Sequence, residues 1–148
     1  MATLKVKIQE DIILDNQDFV SKRIVDICSI NEIMKRVVTC AASQTTTIAV
    51  FNSNSYGAAG AIDIEDSRYV RVTNLDSSNA VELAVVGAAT LYQVKLAAGQ
   101  SHVLGSADDL MLSEADTSPS FGTMADLGSI QVNPGGNAVN VELFIASA

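Results

Sequence analysis

The chain's single histidine, His102, directly follows Ser101, and a serine beside a histidine is the pair from which a nucleophile and its general base are made. The spacing argues against that use. Neighbours along a strand point to opposite faces, and the run Gly99-Gln-Ser-His does not complete a Gly-x-Ser-x-Gly elbow. A lone histidine also excludes a two-histidine metal site. His102 therefore reads as a bystander near a strand.

Oxygen ligands are more plentiful. Asp63, Glu65 and Asp66 form one acidic cluster and Asp108, Asp109, Glu114 and Asp116 a second, and either offers carboxylates to calcium. Neither follows EF-hand order, so both read as solvated loops and calcium is expected to be dispensable. Paired carboxylates also cleave glycosides, but a sugar site needs a stacking cleft, and the chain has no Trp and three Tyr. P-loop and Gly-x-Gly-x-x-Gly patterns are absent, which removes the two commonest nucleotide cradles. Cys28 and Cys40 show no Cys-x-x-Cys or Cys/His spacing and read as two buried thiols. The expectation is a protein without catalytic residues, cofactor or metal.

The elements that would carry these residues are strands. Within 148 residues, the size of one domain, 16 Val and 12 Ile outnumber 11 Leu, and β-branched side chains pack best on a pleated surface. Hydrophobic residues make up 48% and charged residues 18%, enough apolar material for a core. The net charge of -8 is uneven. Lys5, Lys7, Lys22, Arg23, Lys35 and Arg36 are interleaved with carboxylates, whereas residues 72–148 carry only Lys95 against eight acids. Such a surface repels phosphate backbones, so no direct nucleic-acid binding is expected.

The opening Met1-Ala-Thr-Leu-Lys-Val-Lys-Ile lacks the unbroken apolar stretch of a secretory segment, so export by that route is not expected. The longest charge-free stretch, 37–62, is broken by Ser, Gln, Thr, Asn and Gly, which argues against a membrane span.

Period-two alternation recurs along the chain. Phe19 to Cys40 fits both helical and strand spacing, and its β-branched runs favour strands with a turn near 29–32. Thr45 to Phe51 continues as a strand that ends in a loop at Asn52-Ser-Asn-Ser-Tyr-Gly. Tyr69 to Thr73, a turn at 74–79, and Val81 to Val85 read as a hairpin. Leu91 to Leu96 and Ser101 to Leu104 are further strands, and 108–128 is an acidic segment that is in part loop. Ser129 to Val132, Asn133-Pro-Gly-Gly-Asn and Val139 to Ile145 read as a second hairpin. Eight or more short strands predict one all-β domain over 1–148, an antiparallel β-sandwich of jelly-roll type.

The second half resembles small β-sandwich virion proteins of tailed bacteriophages. The resemblance rests on Tyr69-Val-Arg-Val-Thr-Asn-Leu-Asp, Val81-Glu-Leu, Val94-Lys-Leu-Ala-Ala-Gly, and Asn137-Ala-Val-Asn-Val-Glu-Leu-Phe-Ile-Ala-Ser, within residues 69–148. It implies a virion location and a structural role as capsid cement or decoration. The expected partners are the major capsid protein or other virion proteins and further copies of the chain. It brings no catalytic residues, and the first 68 residues share none of its wording. A neck, tail or fibre component, or a sugar-binding jelly-roll module, is the alternative.

Residues 1–15 are the candidate contact segment. Leu4, Val6 and Ile8 present one apolar stripe, while Lys5 and Lys7 present a basic one ahead of an otherwise acidic protein. An extended arm of this kind adds a strand to a neighbour's sheet edge; the competing expectation is the first strand of the chain's own sandwich.

Overall fold

In the computed structural model, residues 1–54, 61–114 and 121–148 are described. The β-branched runs form strands: β1 (Ala2–Leu14), β2 (Gln17–Ile30), β3 (Glu32–Cys40), β4 (Thr46–Asn52), β5 (Ile62–Asp63), β6 (Ser67–Asn74) and β7 (Val81–Gly87). They continue with β8 (Leu91–Leu96), β9 (Ser101–Leu104), β10 (Met111–Leu112), β11 (Met124–Ala125), β12 (Leu127–Asn133) and β13 (Val139–Ser147). The ambiguous stretch from Phe19 to Cys40 is strand throughout apart from Asn31. Among the described residues no helix is long and apolar enough to cross a membrane.

Two sheets make a sandwich, one ordered β5-β4-β12-β7-β8 and the other β3-β13-β6-β9. All pairings are antiparallel except the short β4–β5 contact. Numbered by chain order, the eight main strands from β3 onward lie as 1-8-3-6 in one sheet and 2-7-4-5 in the other. This is jelly-roll topology. The core is the set of inward side chains: Val81, Leu83, Val85, Ile130 and Val132 from one sheet meet Val70, Val72, Val141, Leu143 and Ile145 from the other.

Two expected hairpins are not hairpins. β6 and β7 lie in different sheets, as do β12 and β13, so the turns at 75–80 and 134–138 carry the chain across the sandwich. Asn74 holds the first corner. Its buried amide donates to the carbonyls of Asn79 at 2.8 Å and of Leu96 and Ala97 at 3.2 Å, joining two corners at one end of the sandwich. At the second corner Gly135 adopts φ 69, a left-handed conformation that suits glycine.

The first two strands belong to neither sheet of the sandwich. Among the described residues β1 pairs only with β2, from Leu14↔Gln17 back to Ala2↔Ile30. Cys28 lies on this hairpin and is exposed, so only Cys40 is a buried thiol. The sandwich core does not extend over the hairpin, which leaves that sulfur uncovered.

Candidate functional site

The hairpin of β1 and β2 closes through two residues, Asp15 and Asn16, with φ of 51 and 61. Positive φ at both positions is the type I′ arrangement, whose twist matches that of the flanking strands. Thirteen residues in β1 give a ribbon about 44 Å long at the usual rise of a strand. A bulge between Ala2 and Leu4 on one side and Ile27 and Ile30 on the other keeps Ile30 facing the sandwich, with Ser29 at φ 64.

Cross-strand partners share a face, and the two faces differ. One carries Leu4, Val6, Ile8, Ile12 and Leu14 from β1 with Ile27, Val25 and Phe19 from β2. Its root is anchored: Leu4, Val6 and Ile27 surround Ile30, which packs with Tyr69 and Ala146, while Phe144 stands edge-on to Tyr69 at 6.1 Å. These platform residues lie on the outer surface of the β3-β13-β6-β9 sheet. The other face mixes the charged Lys5, Lys7, Asp11, Lys22 and Asp26 with the exposed Ile13, Val20 and Ile24, and Lys5 is bridged to Asp26 at 3.7 Å.

Beyond the root the ribbon is bare. Every residue from 7 to 26 is exposed, including Ile8, Ile12, Leu14 and Phe19 at 51–57%. An open groove of about 460 Å³ runs along the outer part, lined by Glu10, Ile12, Asp18, Phe19, Val20 and Ser21. Leu4 and Val6, from the expected contact segment, are thus partly covered by the chain's own sandwich; Ile8, Lys5 and Lys7 are free of it. The segment expected to be a single arm over 1–15 is one strand of a two-stranded projection ending at Ile30.

The other candidate residues fall elsewhere. Ser101 and His102 do point apart: Ser101 Oγ lies 2.7 Å from Thr73 Oγ1 on the outer face, and His102 Nε2 lies 2.9 Å from Tyr92 Oη across the sandwich. Burial holds His102 below the usual imidazole pKa and pushes the Tyr92 hydroxyl up. Burial likewise pushes the Cys40 thiol up, which suits an inert core position.

Of the second acidic cluster, Asp108 and Asp109 meet Asp126 with ligand atoms within 4.8 Å of one another. Asp126 was not in the sequence cluster; the pairing of β10 with β11 brings it there. Asp108 is held above the usual carboxylate range by desolvation and by its acidic neighbours Asp126 and Asp109. Glu114 is not in this group, and Asp116 lies outside the described residues. Asp63 and Asp66 line a cleft of about 420 Å³ with Glu32, Met34, Ile145 and Ala148.

A third charged group lies beside the root of the ribbon. Arg71 contacts Glu142 at 2.8 Å and stacks over Phe144 at 5.6 Å, and Lys35 reaches the same carboxylate at 3.4 Å. The hydrogen bond from Arg71 holds Glu142 below the usual carboxylate range.

No protein-family model matches the chain, and no curated protein matches it. One solved structure to which it is similar comes from Bacillus endospore appendages, described as a novel family of disulfide-linked pili. The likeness has a TM-score of 0.43 and 11% identity, over 83% of this chain and 94% of that one. So distant a likeness says nothing of what this chain does.

Proposed function

We propose that this chain is a structural accessory protein of a tailed-phage virion, a cement or decoration protein that acts by contact between subunits. One observation carries the reading: the ribbon of β1 and β2, anchored at its root and bare from residue 7 to residue 26. An isolated two-stranded hairpin is marginally stable in water, and one with large apolar side chains exposed on both faces has no core of its own to hold it. A ribbon of this kind gains order by joining a neighbouring subunit, either at an open edge or through its apolar face. The jelly roll then serves as a rigid body that presents it. The resemblance of residues 69–148 to phage virion sandwiches supplies the kind of particle.

The test is mass spectrometry of purified particles from cells that make the protein, followed by a reconstruction. Stoichiometric copies at the shell surface are expected. Absence from purified particles, with the protein free in the lysate, would overturn the reading.

A further inference from the structure

Charge along the ribbon is sorted. The half nearer the sandwich carries Lys5, Lys7, Lys22 and Arg23 against Asp26 alone, and the outer half carries Glu10, Asp11, Asp15 and Asp18 with no cation. Two such ribbons side by side with their tips together would stack acid on acid. Laid tip to root, each acidic half meets the other's basic half. The pattern is self-complementary under a two-fold axis, the symmetry of most homodimers.

The main chain offers the matching edge. A two-residue loop makes Leu14 and Gln17 a hydrogen-bonded pair, so even-numbered residues of β1 spend their main-chain groups on β2. The odd-numbered residues Lys5, Lys7, Gln9, Asp11 and Ile13 turn theirs to the open edge. Pairing two β1 edges antiparallel about Ile8 sets Lys5 opposite Asp11, Lys7 opposite Gln9, Leu4 opposite Ile12, and Ile8 opposite itself. No like charges oppose each other in this register. Apolar residues remain on the face that carries the groove beside Ile12 and Phe19.

We propose that two copies of this chain join through their ribbons, β1 beside β1 in antiparallel register, making a four-stranded sheet between two sandwiches. The proposal names a partner for the assembly role above, and its test needs no particle, so the two readings fail separately.

The test uses the full chain in native mass spectrometry and sedimentation at several concentrations. The wild type is expected to form a dimer that weakens with added salt. Lys5→Glu with Lys7→Glu, and separately Glu10→Lys with Asp11→Lys, should each weaken it about tenfold, because both symmetry-related pairs of residues 5 and 11 turn from attractive to repulsive in the dimer. Mixing the two variants should restore pairing as a heterodimer. The thermal transition of each variant, which reports the distant sandwich core, should stay unchanged and so exclude misfolding of the sandwich, while recovery in the mixture excludes loss of the ribbon. A wild type that stays monomeric while folded would overturn the pairing, as would a dimer indifferent to both charge reversals. Heterodimers no more abundant than either variant's own dimer would overturn the register.

Discussion

Leu143 and Phe144 are neighbours on β13 that face opposite ways, and truncating each should break a different part of the molecule. Leu143 is 0% exposed at the centre of the sandwich, between β3 and β6. Leu143→Ala should cost about 3–4 kcal/mol in lost transfer energy and cavity. For a chain of this size that lowers the melting temperature by roughly 6–16 °C. Phe144 is partly buried on the outer face, where it meets Tyr69 edge-on and lies under Arg71. The aromatic pair and the cation–π contact together are worth about 1–2 kcal/mol. With the partial burial of its ring added, Phe144→Ala should still lower the melting temperature by less than Leu143→Ala, while loosening the root of the ribbon. The assay is hydrogen exchange with peptide resolution beside a thermal scan. Faster exchange confined to 2–30 is expected for Phe144→Ala, and faster exchange across the sandwich for Leu143→Ala. Unchanged exchange in the ribbon of Phe144→Ala would refute the assignment of Phe144 as its platform.

Three further outcomes follow from named contacts. Asn74→Ala should cost about 2–3 kcal/mol, because three carbonyls each lose a donor, that of Ala97 keeping a second one from the Gln100 N–H, and Asn74→Asp at least as much, because a carboxylate has no proton to offer them; urea midpoints would measure both. His102 has a folded-state pKa lowered from 6.5 by burial, so the unfolded chain binds the extra proton and stability falls as the pH drops below that value. His102→Phe should flatten the slope of urea midpoint against pH there, leaving the later loss as Glu142, whose folded pKa is lowered, is protonated below its unfolded value of 4.5. Asp108→Asn should raise the melting temperature at neutral pH, since it removes a carboxylate crowded by Asp109 and Asp126, and a fall would contradict that crowding.

The longer strands of the sandwich were legible because one face of each is buried, whereas the two-residue strands β5, β10 and β11 were not. Val70 and Val72 against Arg71, and Val139, Val141, Leu143 and Ile145 against Asn140 and Glu142, alternate because the sandwich has a wet side and a dry side. The partners of those strands were not legible. A jelly-roll corner and a hairpin turn use the same polar residues, and the difference lies in whether Asn74 reaches Leu96 and Ala97, contacts distant in sequence. The ribbon was half-seen for a different reason. From Ile8 to Ile24 neither face is buried, so no clean alternation marks the strands, and Asp15-Asn16 is a quieter turn signal than Asn-Gly. The apolar and basic stripes at 4–8 showed a segment with somewhere to go, but its own partner, β2, lay hidden in a stretch that also fits helical spacing. Asp126 was missed because 17 residues separate it from Asp109, to which it is joined by a 3.1 Å hydrogen bond.

The central claim is that the bare ribbon is the surface by which the protein acts. A reconstruction of intact particles that resolves residues 1–30 tests it most directly. The expected density shows the sandwich at the shell surface with residues 7–26 covered by a neighbouring chain. Copies on the particle with that ribbon free in solvent, held instead through the sandwich, would contradict it.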